Sequence, residues 1–189
     1  HRKLILPQLS APGINGRRVR ERTGFRVIFG PVRTGDLPAF LDAGMKATPQ
    51  MRRVTFGFRD RVELIPVELS MALKPVLVVT ILLFVMSGLG SDWYSVNRML
   101  RDGGRSTALF ISGILAGGAL VPMLLPWLPG RSFSVKGFWA GLMVVLAIAI
   151  TAGGSWVFGG NLESTGWALI IPSVSSFMGM NFTGASTYT

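Results

Sequence analysis

Two short stretches rich in proline and glycine are the places where this chain could do chemistry: Gln8-Leu9-Ser10-Ala11-Pro12-Gly13, preceded by Pro7, and Gly30-Pro31-Val32-Arg33. Their few bulky side chains would let a large flat or phosphate-bearing ligand approach the backbone. Gln8 and Ser10 could also exchange hydrogen bonds with the amide groups of such a ligand. The same composition makes ordinary strand-to-helix turns, and spacing alone does not separate the two readings. A second constellation is Glu68 with Lys74, at the start of an apolar run. An acid and a base inside lipid would form an ion pair or a relay, whereas a lysine two turns from a helix end snorkels to the headgroups, which is the simpler reading. Met86, Met123, Met143 and Met178 carry thioethers that soft metals accept, but scattered methionine in apolar helices serves packing.

Much other chemistry is excluded. The chain has no cysteine and a single histidine, His1. That removes disulfide scaffolds, thiolate metal sites and cysteine nucleophiles, and with them most zinc chemistry. No phosphate-loop motif and no catalytic triad can be assembled. The arginines of Gly16 to Arg26 lack interleaved aromatics and any nucleic-acid motif, so anionic membrane lipid is the expected partner of that charge, and nucleic acid is not.

The elements that must position the loops fall in two unlike parts. Of 19 basic and 9 acidic residues among 189, residues 1–66 hold 13 and 5, which leaves 6 and 4 for the remainder. In the first part, Arg2 to Gln8 reads as a buried strand, Gly16 to Thr23 as a charged helix and Phe25 to Phe29 as a strand. Leu37 to Ala43 reads as a helix with Asp36 as N-cap, Pro38 in its first turn and Gly44 as its stop. Val54 to Phe58 is a possible third strand. Strands alternating with helices imply a parallel α/β sheet, and ligands bind such sheets beyond the carboxyl ends of the strands, where both loops would sit. About 66 residues are marginal for a doubly wound domain, and the chain opens on His1 directly before a strand. The expectation is therefore an internal piece of a longer protein, with further strands upstream.

Residues 67–189 contain four apolar runs long enough to cross a bilayer, at 67–89, 107–128, 137–158 and 165–182. The last is the shortest and carries Pro172. Pro122 and Pro126 should kink or end the second run. Gly113-x-x-x-Gly117 and Gly137-x-x-x-Gly141 are small-residue pairs of the kind that let helices approach in lipid, though such pairs are frequent by chance. Trp93, Tyr94, Trp127, Trp139, Trp156 and Trp167 lie near run ends, as in an aromatic belt. The positive-inside rule puts residues 1–66 and Arg131 in the cytoplasm, leaving Arg98, Arg101 and Arg105 outside as the discordant group.

The strings themselves carry a resemblance. Leu6 to Gly13, Thr23 to Arg33, Phe40 to Val54 and Met180 to Thr189 resemble the mercury-methylation corrinoid protein family (HgcA), over essentially the whole chain. The resemblance implies part of a cytoplasmic corrinoid-binding, Rossmann-like α/β domain over 1–66, followed by an all-α transmembrane domain over 67–189. It also implies relatedness to the corrinoid iron–sulfur protein of the acetyl-CoA pathway. The implied activity is passage of a cobalt-bound methyl group to Hg(II), with a ferredoxin-like iron–sulfur protein as electron donor and the inner membrane as location. The cofactor-binding residues would be Gln8 to Gly13 and Gly30 to Arg33. The family's cobalt-ligating cysteine lies in an Asn-Val-Trp-Cys motif that this sequence does not contain, so these residues alone are expected to be inactive. Two alternatives remain: a membrane-tethered methyl carrier of the acetyl-CoA-pathway type, and a transporter-like protein that uses the α/β part for docking.

Overall fold

The computed structural model describes residues 2–91, 93–152 and 158–182. The expectations that rest on His1, Asp92, Trp156 and Thr183 to Thr189 lie outside the described residues. The chain divides into two units, His1–Thr55 and Phe56–Thr189.

The first unit is built on one β-α-β crossover. Strand β1 (Lys3–Leu6) pairs in parallel with β2 (Arg26–Phe29), with Lys3 opposite Arg26 and Leu6 opposite Phe29. Helix α1 (Gly16–Thr23) connects them. The Asn15 side chain accepts from the Arg17 and Arg18 amides, and Gly24, at φ 75°, ends the helix in the left-handed conformation that glycine takes without strain. Helix α2 (Leu37–Asp42) follows, with Asp36 at its N-cap position but without a side-chain cap bond, and Gly44 turns the chain at φ 67°. Phe40 is fully buried and is the centre of this small unit.

Two expectations for this unit need correction. The strand expected over Arg2 to Gln8 is shorter and its first residues are exposed, because Pro7 and the 3-10 turn Gln8–Gly13 end it. No strand forms over Val54 to Phe58: the Asp60 carboxylate accepts from the Gly57 amide at 2.8 Å and starts a helix at Phe58 instead. The rest of the expected Rossmann-like sheet is not shown: among the described residues the first unit has one parallel pair of strands, and the molecule is mainly helical.

The second unit contains α3 (Phe58–Met86), a short hairpin of β3 (Leu89–Gly90) and β4 (Trp93–Tyr94), and then α4 (Val96–Leu115). A π-helical turn, Ala116–Leu120, joins α4 to α5 (Val121–Leu124). The bundle is completed by α6 (Phe133–Ala152) and α7 (Asn161–Asn181). The expected division at 66/67 falls inside α3, which runs unbroken from a polar first turn into apolar sequence. Helix α4 likewise starts eleven residues before the expected run at Thr107, capped by the Ser95 hydroxyl, which accepts from the Arg98 amide at 3.5 Å.

Among the described residues three helices are long and apolar enough to cross a membrane: Phe58–Met86, Val96–Leu124 and Phe133–Thr151. The most apolar 18-residue window of Phe58–Met86 has a mean hydropathy of 2.3 and no buried residue. Met71, Leu77, Val78 and Ile81 are all more than half exposed there. That much exposed aliphatic surface is stable in lipid and not in water, so the chain is read as a membrane protein. The fourth expected span exists as the 21-residue helix α7 but does not meet the same criterion, since Asn161, Glu163 and its serines lower its apolarity.

Helix α7 is held by the bundle's smallest residues. A Cβ on Gly113 would press on the Ile171 carbonyl and Val174, on Gly117 on Ser175 and Met178, on Gly137 on the Ser175 carbonyl and Ser176, and on Gly141 on Pro172 and Ser175. Both small-residue pairs therefore face α7, on either side of Ser175. The fully buried Ser175 hydroxyl donates to the Gly137 carbonyl at 2.6 Å, and Ser176 to the Ser134 carbonyl at 2.9 Å. The core around them is Leu109, Phe110, Ile114, Val145, Ile171 and Met178. Trp167 joins that core rather than an interfacial belt, whereas Trp93 and Trp127 are exposed.

Candidate functional site

Parallel pairing sends both candidate loops off the same edge of the β1–β2 pair. Past Leu6, the chain enters the 3-10 turn Gln8–Gly13, in which the Ser10 amide and hydroxyl both donate to the Pro7 carbonyl, at 3.0 and 2.7 Å. Past Phe29, the Gly30 amide donates to the Leu6 carbonyl at 2.8 Å, tying the two loop origins together. Gly30 and Pro31 are buried, and Val32 is anchored through its amide to the Met51 carbonyl at 2.9 Å. The Arg33 guanidinium donates to the Thr55 carbonyl at 3.1 Å.

The loop residues divide by what they do. Gly30 is required by the fold: a Cβ there would lie 3.0 Å from Ile5 Cγ2 and 3.6 Å from the Phe40 ring. Gly13 is different, because a Cβ there meets nothing within 4 Å and its φ is not positive. A substitution at Gly13 therefore brings no torsional strain. Gln8 and Ala11 are partly exposed, Leu9 and Pro12 exposed. Among the described residues the Gln8 side chain makes no hydrogen bond, so it stays available to a ligand.

Sequence reasoning missed two residues. Gly13, Asn15, Arg18, Arg22 and Thr23 line a shallow groove of about 420 Å³ at the end of the first loop. Arg18 and Arg22 lie four residues apart, hence on one face of α1. Neither is ion-paired among the described residues, whereas Arg17 pairs with Glu21 at 3.1 Å. The signal was the Arg-x-x-x-Arg spacing directly after a glycine loop. Together the groove offers two guanidinium groups to an anion such as a phosphodiester.

Whether these residues fit a corrinoid has two answers. The small side chains of Gln8 to Gly13, the free Gln8 amide and the Arg18–Arg22 pair fit the edge and the phosphate tail of a large flat cofactor. They do not fit its metal: among the described residues no group of three His, Cys, Asp or Glu side chains could hold an ion, and none of the loop residues is a nitrogen or sulfur donor of the kind cobalt takes. In the second unit Glu68 and Lys74 are not paired: Glu68 is buried and Lys74 exposed. No protein-family model, curated protein or solved structure matches the chain.

Proposed function

We propose that this chain belongs to a membrane-anchored, corrinoid-dependent methyltransferase that forms methylmercury, and that it supplies the anchor and one wall of the cofactor crevice. The observation that carries the reading is the shared edge: the two loops whose strings resemble the mercury-methylation family leave neighbouring parallel strands side by side. A corrinoid, when bound, supplies a methyl group that a soft electrophile such as Hg(II) accepts.

This chain's residues bind and orient. Gly30 lets the two strand ends close on one another, which fixes where Gln8 to Gly13 stand. Gln8 and the Ser10 oxygen meet amide side chains of the cofactor, and Arg18 with Arg22 meets its phosphate. The apolar helices hold the assembly in the inner membrane with the first unit on the cytoplasmic side, where a ferredoxin-like iron–sulfur protein delivers electrons. The basic residues of the first unit support that orientation.

The test is methylmercury formation in a host deleted for the corresponding gene. The full-length gene restores it, and residues 1–189 alone do not, since their sequence lacks the family's cobalt-ligating cysteine motif. Restoration by residues 1–189 alone would refute the division of roles. Full-length protein that binds corrinoid yet methylates no mercury would favour a carrier of the acetyl-CoA-pathway type.

A further inference from the structure

We infer that the helical unit contains a binding site for a lipophilic organic cation, in a cavity between α3, α4 and α7 with Glu68 as its counter-charge. The cavity measures about 930 Å³, at the upper end of the range of small-molecule sites. Its walls are largely apolar, with Pro75 and Val76 from α3, Phe110 and Ile114 from α4, and Val174 and Phe177 from α7. Such walls take a hydrocarbon or aromatic body.

The polar groups in those walls decide the sign of the ligand. They are Glu68, Ser173 and Asn181. Glu68 is 5% exposed and lines the cavity, yet it forms no ion pair or hydrogen bond among the described residues. Lys74, six positions on, lies about 240° around the helix and is exposed, so it does not neutralise Glu68. The Arg61 guanidinium, two turns earlier, lies over the Phe58 ring, 5.8 Å from the centroid. The Ser173 hydroxyl spends its hydrogen on the Leu169 carbonyl at 2.7 Å, which leaves its oxygen as an acceptor. A buried carboxylate is stable when it is paired, and within membrane helices such a group faces its functional partner. A cation with an apolar body satisfies both the acceptors and the walls, among which Phe110 and Phe177 are aromatic. This site does not depend on the methyl-transfer reading.

Equilibrium binding of tetraphenylphosphonium and of tetraphenylborate to the detergent-purified chain tests it, because the two ions share shape and size and differ in sign. Tetraphenylphosphonium should bind saturably and tetraphenylborate should not. Glu68→Gln, which keeps the side-chain volume, should weaken the cation at least tenfold, and Val76→Trp should block it by filling the cavity. The charge comparison with Glu68→Gln stands whether or not the tryptophan variant folds. Equal binding of the two ions, no saturable binding of the cation, or wild-type affinity in Glu68→Gln would overturn the proposal.

Discussion

At the scale of single residues, the first unit depends on Phe40 and Gly30. Phe40 is fully buried beside what is, among the described residues, a two-stranded sheet, so little else can compensate for its loss. Phe40→Ala should cost about 3–5 kcal/mol, more than so small a unit is expected to spare. Limited proteolysis of the full chain should then cut within residues 1–55 while the apolar helices stay protected. Gly30→Val forces a branched side chain onto Ile5 and should cost about 1–3 kcal/mol. Gly13→Val meets open space and should leave proteolysis unchanged, which makes it the cleaner probe of ligand contact. The sequence showed both glycines as loop residues but not which of them the fold requires. That distinction comes from the close approach of Ile5 and Phe40 to Gly30, contacts between residues far apart in the chain.

At the scale of elements, local signals were read best where they are self-contained. Helix α1 spans Gly16–Thr23 as expected, because Asn15 and Gly24 cap it by contacts within the segment. The strand expected at Val54 to Phe58 failed because its β-branched residues give way to a helix start at Gly57 and Asp60, a side-chain to backbone bond that alternation does not reveal. The small-residue pairs gave only a weak signal in sequence. Their meaning came from α7, whose Ser175 lies against both pairs. Gly137→Leu should therefore separate α6 from α7 and lower the thermal stability of the detergent-solubilised bundle sharply, whereas Gly104→Leu, at a position with open space, should not. Ser175→Ala should cost about 1 kcal/mol, the worth of one buried hydrogen bond. Thermal unfolding followed by circular dichroism measures all three. The π turn before Pro122 has a cause within α4–α5: proline has no amide for the Gly118 carbonyl, and the Val121 amide reaches back to Ala116 instead.

At the scale of the whole molecule, composition divided the chain into a basic part and an apolar part. In the structure the chain divides into His1–Thr55 and Phe56–Thr189. The apolar part was legible because bilayer thickness sets a length that sequence alone can meet. The reach of the α/β part was not, since a parallel sheet is made of pairings that periodicity does not encode. With residues 1–55 cytoplasmic, reporter fusions at Ser91 should read as periplasmic and at Ser132 as cytoplasmic; both on one side would contradict that orientation. The most direct test of the central claim is corrin absorbance per chain of the full-length protein, purified from a host supplied with cobalamin. The wild type should carry corrinoid, and Gly13→Val and the double substitution Arg18→Ala with Arg22→Ala should each lower its occupancy while the protein stays folded. A wild type free of corrinoid, or unchanged occupancy in both variants, would contradict the account.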